Sequence, residues 1–189
     1  MLSAWAAIQY LQAGSPAQQA AYLVLQRHAV LHKLQAYSPC LVGTFPLDIA
    51  VAGSDLDIIC EVHDFGQFSQ LVGQHFSWCP AYAARRLQLN GIPSLVISFY
   101  LDEFEIEIFG QPLPPAQQAG YRHLVVEARL LAVGGPALRE KVIRLKTNGL
   151  KTEPAFATLL SLPGDPYQAL LDLAPCSDQA LLHLIAQGA

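Results

Sequence analysis

Two stretches of the chain alternate apolar and acidic side chains with a period of two. Asp55-Leu56-Asp57-Ile58 is one, and Phe104-Glu105-Ile106-Glu107-Ile108-Phe109 is the other. Such alternation predicts β-strands with one apolar face, because residues i and i+2 of a strand share a side. Strands are expected over 39–44, 55–62, 80–89, 92–101 and 103–110. Asn90-Gly91 is a strong hairpin signal between the third and fourth, and Asp102-Glu103 a weaker tight turn between the fourth and fifth. Elsewhere the period is helical. Ser3 is placed to cap a first helix ending near Gly14, and Ser15-Pro16-Ala17-Gln18 opens a second with a capping box and Pro at its first position. That helix is expected to run to about Ala36, and Asp64 to cap another reaching about Phe76. From Pro114 the helical period returns over about 115–133, 136–147, 153–161, 166–173 and 178–187, punctuated by Gly134-Gly135-Pro136, Asn148-Gly149 and Pro163-Gly164-Asp165-Pro166. The pattern predicts an α+β fold. A small mixed β-sheet with helices packed on it occupies residues 1–112, and a C-terminal helical subdomain occupies 113–189, the two forming one compact unit.

The acidic positions carry the candidate chemistry. On a strand, Asp55 and Asp57 stand side by side with Leu56 and Ile58 behind them. Adjacent carboxylates repel unless a cation sits between them. Hard oxygen ligands favour Mg2+ or Mn2+, and Mg2+ sites commonly combine one or two carboxylates with substrate phosphates. If the second acidic strand pairs beside the first, Glu107 or Glu105 adds a third carboxylate. Glu107 is favoured, because it lies deeper in its apolar strand; Glu105, nearer the turn, is the alternative. A cluster of this kind suits two-metal phosphoryl transfer, with ions about 4 Å apart. Upstream, Gly43-Thr44 forms a turn where the missing side chain lets backbone N–H groups approach a phosphate chain. Ser54 stands where it could either bond a phosphate or cap its own turn.

The order apolar-Gly-hydroxyl, ten residues, Asp-apolar-Asp-apolar and then a later acid-bearing strand resembles the DNA polymerase β-like nucleotidyltransferase superfamily. The resemblance implies a small mixed sheet holding three carboxylates and transfer of a nucleoside monophosphate from an NTP to a hydroxyl. Gly43 and Thr44 match the triphosphate turn, Asp55 and Asp57 the metal pair, and Glu107 or Glu105 the third acid. Thr44 stands where serine is usual and keeps the hydroxyl; a glutamate stands where aspartate is common. Four segments, Gly43-Thr44-Phe45-Pro46-Leu47, Gly53-Ser54-Asp55-Leu56-Asp57-Ile58-Ile59-Cys60, Glu107-Ile108-Phe109-Gly110-Gln111 and Gly149-Leu150-Lys151-Thr152-Glu153-Pro154-Ala155-Phe156, are similar to an uncharacterised bacterial domain family grouped with the same fold.

Other motifs add less. Cys60, His63, His75 and Cys79 imitate a zinc spacing, but a helix between the two histidines would hold them about 18 Å apart at 1.5 Å per residue. His123 and Glu127 fall on one face of a helix, where they suit either a phosphate or base contact or a surface lattice of charges. Lys146 and Lys151 bracket the Asn148-Gly149 turn. Lys151-Thr152 precedes a helix whose N-terminus could hold an anion.

Composition sets the remaining bounds. Charged residues are only 14% of the 189, against 52% hydrophobic, where roughly 25% charged is typical. The surplus of apolar faces suits a core plus an interface, of which a homodimer is one form. Net charge is −4, which disfavours an extended nucleic-acid surface. Arg139, Lys141, Arg144, Lys146 and Lys151 nevertheless gather in one short stretch, opposite in sign to Asp102, Glu103, Glu105 and Glu107. The first basic residue is Arg27 and no apolar run approaches about 20 residues, so neither a signal peptide nor a membrane span is expected. With Cys40, Cys60, Cys79 and Cys176 sparse and no export signal, a cytoplasmic location with reduced thiols is expected. The expected function is a metal-dependent nucleotidyltransferase acting on a small-molecule, protein or RNA-end hydroxyl and releasing pyrophosphate. The alternative is a nucleotide-binding or protein-interaction module that keeps the fold without turnover.

Overall fold

The computed structural model describes residues 7–188, so the Ser3 cap lies outside the described residues. It forms two compact units: one comprises the described residues up to Asp48 together with Gly53–Tyr121, the other Ile49–Ala52 with the chain from Arg122 onward.

The first unit is built on a five-stranded sheet: β1 (Cys40–Val42), β2 (Leu56–Glu61), β3 (Ala83–Leu89), β4 (Ile92–Leu101) and β5 (Phe104–Gln111). The order is β1-β2-β5-β4-β3, with β2 and β5 parallel and every other pair antiparallel. The mixed sheet follows from the connections. Asn90 and Gly91 both take positive φ, the geometry of a two-residue turn whose twist matches its strands, so β3 and β4 form a hairpin. Asp102 turns β4 into β5. The β2-to-β5 pair spans a longer excursion that includes α3 (Phe65–Phe76), as a parallel pair requires. Asp64 caps α3 by accepting from the backbone N–H groups of Gly66 and Gln67.

Parity divides the two faces of the sheet. Leu56, Ile58 and Cys60 of β2, Ile106 and Ile108 of β5, and Leu95, Ile97 and Phe99 of β4 share one side and are all buried. α3 covers this side. Phe76 stacks on Phe99 at 4.7 Å between ring centroids, and Phe68 packs near Gly110, where an added Cβ would crowd Val62 and touch the Phe68 ring at ordinary contact distance. The opposite side carries Asp57, Glu105 and Glu107, all half-buried, together with Ile59.

Two helical expectations are corrected. The second helix does not run to Ala36. It breaks into α1 (Pro16–Arg27) and α2 (Val30–Lys33), because Ala29 takes φ 49 in the left-handed region, and a 3-10 turn follows over Gln35–Tyr37. No Gly or Pro marks the break. Arg27 and His28, on either side of the helix end, both reach Asp102 in the β4–β5 turn at 2.8 and 3.4 Å. The first helix, expected to end near Gly14, is a 3-10 turn over Gln9–Ala13 in its described part. The capping box at Ser15 and Gln18 is present as expected.

The second unit is helical. α4 (Ala119–Thr147) begins in the first unit, where Gly120 packs on Val42 and Ile59, and continues into the second. It is interrupted at Gly135, whose φ of 64 and ψ of −162 are not helical and which precedes Pro136. The expected division at Gly134-Gly135-Pro136 is therefore real. α5 (Thr152–Leu159), α6 (Pro166–Leu171) and α7 (Asp178–Gly188) complete the unit, with Phe156 and Leu181 fully buried. Arg129 holds the start of α7 through Asp178 and through the carbonyls of Ala174 and Cys176. Among the described residues no helix is long and apolar enough to cross a membrane.

Removing the aromatic stack tests the α3–sheet contact. Phe99→Ala should destabilise the protein by about 3–5 kcal/mol, measured by chemical denaturation, because a large buried ring leaves a cavity.

Candidate active site

The candidate site forms where β1, β2 and β5 meet. Val42 faces Asp57 across the antiparallel β1–β2 pair, and Asp57 faces Glu107 across the parallel β2–β5 pair. Ser98 of β4 lies opposite Glu107 in the next pair, so Ser98, Glu107, Asp57 and Val42 form one row across the sheet. Strands in a sheet lie about 4.8 Å apart, so this row holds two carboxylates as direct neighbours on one half-buried face. Asp55, also half-buried, immediately precedes β2.

Glycine at position 43 is required by two constraints. Its φ is +73, and a Cβ there would fall on the Asp57 carboxylate. The turn thus brings bare backbone against the acid row. Thr44 is buried, and its hydroxyl has no hydrogen-bond partner among the described residues. A buried hydroxyl without a partner costs roughly 1–3 kcal/mol.

Glu105 and Glu107 differ in their surroundings although they share a face. Glu105 lies opposite Tyr100 and accepts a hydrogen bond from its hydroxyl at 3.2 Å. That bond, which ties Glu105 to the outer end of the β4–β5 hairpin, could not be read from sequence spacing. Ser54 is half-buried just before Asp55, and Asp48 sits in a turn with φ 55, a conformation Asp tolerates.

The zinc spacing does not assemble a site. α3 stands between His63 and His75, His63 bonds Glu61 at 3.0 Å, and Cys60 is buried on the face away from Asp57. Among the described residues no three His, Cys, Asp or Glu side chains converge closely enough to hold a metal ion, the acids at 55, 57 and 107 included.

The two lysines fall into different settings. Lys151 is exposed at the N-cap of α5, where its side chain makes no capping bond. Lys146 is buried and donates to the Thr152 hydroxyl at 2.8 Å. His123 and Glu127 are buried as well, which excludes a surface charge lattice at those positions. A groove of about 470 Å3 lined by Gln26, His32, Gln35, Ser38, Cys40 and Pro115 lies in the first unit and includes none of the acids.

Residues 23–173 match the family described as a domain of unknown function, DUF4269. The chain belongs to this family. No curated protein matches it. Among solved structures, the polymerase core of TRAMP, an RNA surveillance complex, is similar at 12% identity and a TM-score of 0.52, over 93% of this chain and 58% of that one. The Cid1 poly(U) polymerase is similar at 15% identity and a TM-score of 0.51, over 77% and 48%. The DUF4269 chain thus spans about half the length of the solved structures it matches. At these identities the likeness is one of fold, and that fold is nucleotidyltransferase-like.

Substitution at the turn tests its geometry. Gly43→Ala should cost about 1–3 kcal/mol in denaturation experiments, since it forces a side chain into the left-handed region and onto Asp57. A neutral effect would show that the turn has room to relax.

Proposed function

We propose that the protein is a metal-dependent nucleotidyltransferase that moves a nucleoside monophosphate from an NTP to a hydroxyl acceptor and releases pyrophosphate. The observation that carries this reading is the row formed by Asp57 and Glu107 in register, against a side-chain-free turn at Gly43 and beside the unpartnered Thr44 hydroxyl. The nucleotidyltransferase-like fold is consistent with it.

By ligand type the donor set suits a hard divalent cation, although its three carboxylates do not converge in this structure. Asp55, Asp57 and Glu107 offer only carboxylate oxygens, the ligand type that Mg2+ and Mn2+ prefer, with substrate phosphates completing the coordination. Bound there, the cation would neutralise phosphate charge and polarise the phosphoryl group. Glu107 is taken as the third ligand because it lies directly opposite Asp57 in the β2–β5 register, with Glu105 as the alternative. The backbone at Gly43 and the Thr44 hydroxyl would hold the β- and γ-phosphates, with Ser54 as a further donor. Lys151, exposed at the N-cap of α5 in the helical unit, would be a further phosphate-binding residue. Lys146, buried on Thr152, would serve by supporting that helix start. In the transfer itself, the acceptor oxygen bonds to the α-phosphorus as the bond to the pyrophosphate oxygen breaks, and the hydroxyl proton departs. Catalysis would rest on positioning and charge complementarity. The acceptor is a small molecule, a protein side chain or an RNA end, and a homodimer is one assembly the apolar composition suits.

A second reading is a nucleotide-binding or protein-interaction module without turnover. The absence of three converging metal-ligating side chains among the described residues favours it. Pyrophosphate release separates the two.

Calorimetric titration of the four NTPs with Mg2+ or Mn2+ provides the direct test. Metal-dependent binding should be lost in Asp57→Asn while the fold is kept, and unchanged binding would reject the site. Glu107→Gln should weaken binding more than Glu105→Gln; the reverse order would make Glu105 the ligand. Lys151→Ala should cost about tenfold in affinity, or about 1.4 kcal/mol, and no effect would remove Lys151 from the site.

A further inference from the structure

The helical unit contains a buried cluster of ionisable groups, of which the proposed chemistry uses Lys146 alone, as a support for the start of α5. His123 and Glu127 lie one helical turn apart on α4, Lys146 lies near the end of the same helix, and Thr152 and Glu153 open α5. Glu127 is only 3% exposed, and its Oε1 has no hydrogen-bond partner among the described residues. Lys146 is 7% exposed and donates to the Thr152 hydroxyl at 2.8 Å. His123 Nε2 lies 3.0 Å from the Tyr167 carbonyl of α6, which can only accept, so that nitrogen carries a proton. Its Nδ1 lies 3.7 Å from Glu153 Oε1.

With His123 neutral, Lys146 and Glu153 offset each other, and the cluster balances when Glu127 is neutral as well. Glu153 on α5 is the like charge facing it, and Lys146 is the ammonium facing it. A second carboxylate would repel the first turn of α5 or compete with Thr152 for the single buried ammonium. Either response weakens the contact that ties that turn to α4.

We propose that the cluster is a proton-operated latch: Glu127 is a carboxylic acid when the first turn of α5 is held, and loss of its proton releases that turn. Burial first, and the charge of Glu153 second, push the Glu127 carboxyl up to about 8, with Lys146 opposing them. The sign follows. An unfolded glutamate loses its proton near pH ~4.3, whereas the folded one keeps it to about 8, so this group makes the folded protein progressively less stable as pH rises across that window. Lys151 occupies the N-cap position of the turn that the latch holds. Control of nucleotide contact by the latch rests on the function proposed above, but the latch itself does not.

The test needs no nucleotide. Infrared spectra of the full chain should show a protonated carboxyl band at neutral pH that is absent in Glu127→Gln and disappears with a midpoint near 8. Backbone hydrogen exchange over 151–156 should match between wild type and Glu127→Gln at about pH 6, and run at least about threefold faster in the wild type at about pH 9. A neutral-pH spectrum without the Glu127 band, or an exchange ratio that does not change with pH, would overturn the latch. Should Glu127→Gln not fold, Glu153→Gln serves instead. Removing the like charge should move the carboxyl midpoint to lower pH, and an unmoved midpoint would overturn the proposal.

Discussion

Asp57 and Glu107 stand as neighbours across the parallel β2–β5 pair, and their repulsion is tolerated because the opposite face of both strands cannot move. Leu56, Ile58, Cys60, Ile106 and Ile108 are all buried beneath α3. A slip of one residue in either strand would drive carboxylates into that layer and expose the apolar side chains instead. The hydrophobic face therefore sets the register, and the register sets the acid pair. β4 reinforces it on the far side, with Ser98 opposite Glu107 and the Phe99 ring stacked on Phe76.

The helical unit shows the opposite use of charge. Instead of displaying ionisable groups on a half-buried face, it buries His123, Glu127 and Lys146 beside the start of α5. A buried charge persists only with a partner or with a shifted proton equilibrium. Lys146 takes the first course through the Thr152 hydroxyl and the facing Glu127, and Glu127 the second. A cluster of this kind adds little net stability compared with apolar packing. It makes the packing of α5 sensitive to conditions that an apolar contact would ignore.

Membership of DUF4269 and the likeness to the polymerase core of TRAMP and to Cid1 agree on architecture. Function resides in sites grafted onto folds, so the argument about chemistry returns to individual residues. Here those are the acid row, the bare turn at Gly43 and the Thr44 hydroxyl.

Much of this was legible in the sequence. Alternating acids and aliphatics marked β2 and β5 and placed Asp57 and Glu107 on a polar face, because strand parity is a property of the chain alone. Asp64, the Ser15–Gln18 box, Asn90-Gly91 and Gly135-Pro136 marked ends and turns, because caps and positive φ act within a few residues. Other features depended on the tertiary structure. The break at Ala29 sits beside contacts from Arg27 and His28 to Asp102, far along the chain. Tyr100 distinguishes Glu105 from Glu107 through a pairing across the hairpin. The burial of His123, Glu127 and Lys146 was hidden in a helix that reads as an ordinary charged surface. Local rules determine which side of an element a residue takes; only long-range packing decides what that side meets, and so which charges are solvated, paired or forced to hold a proton.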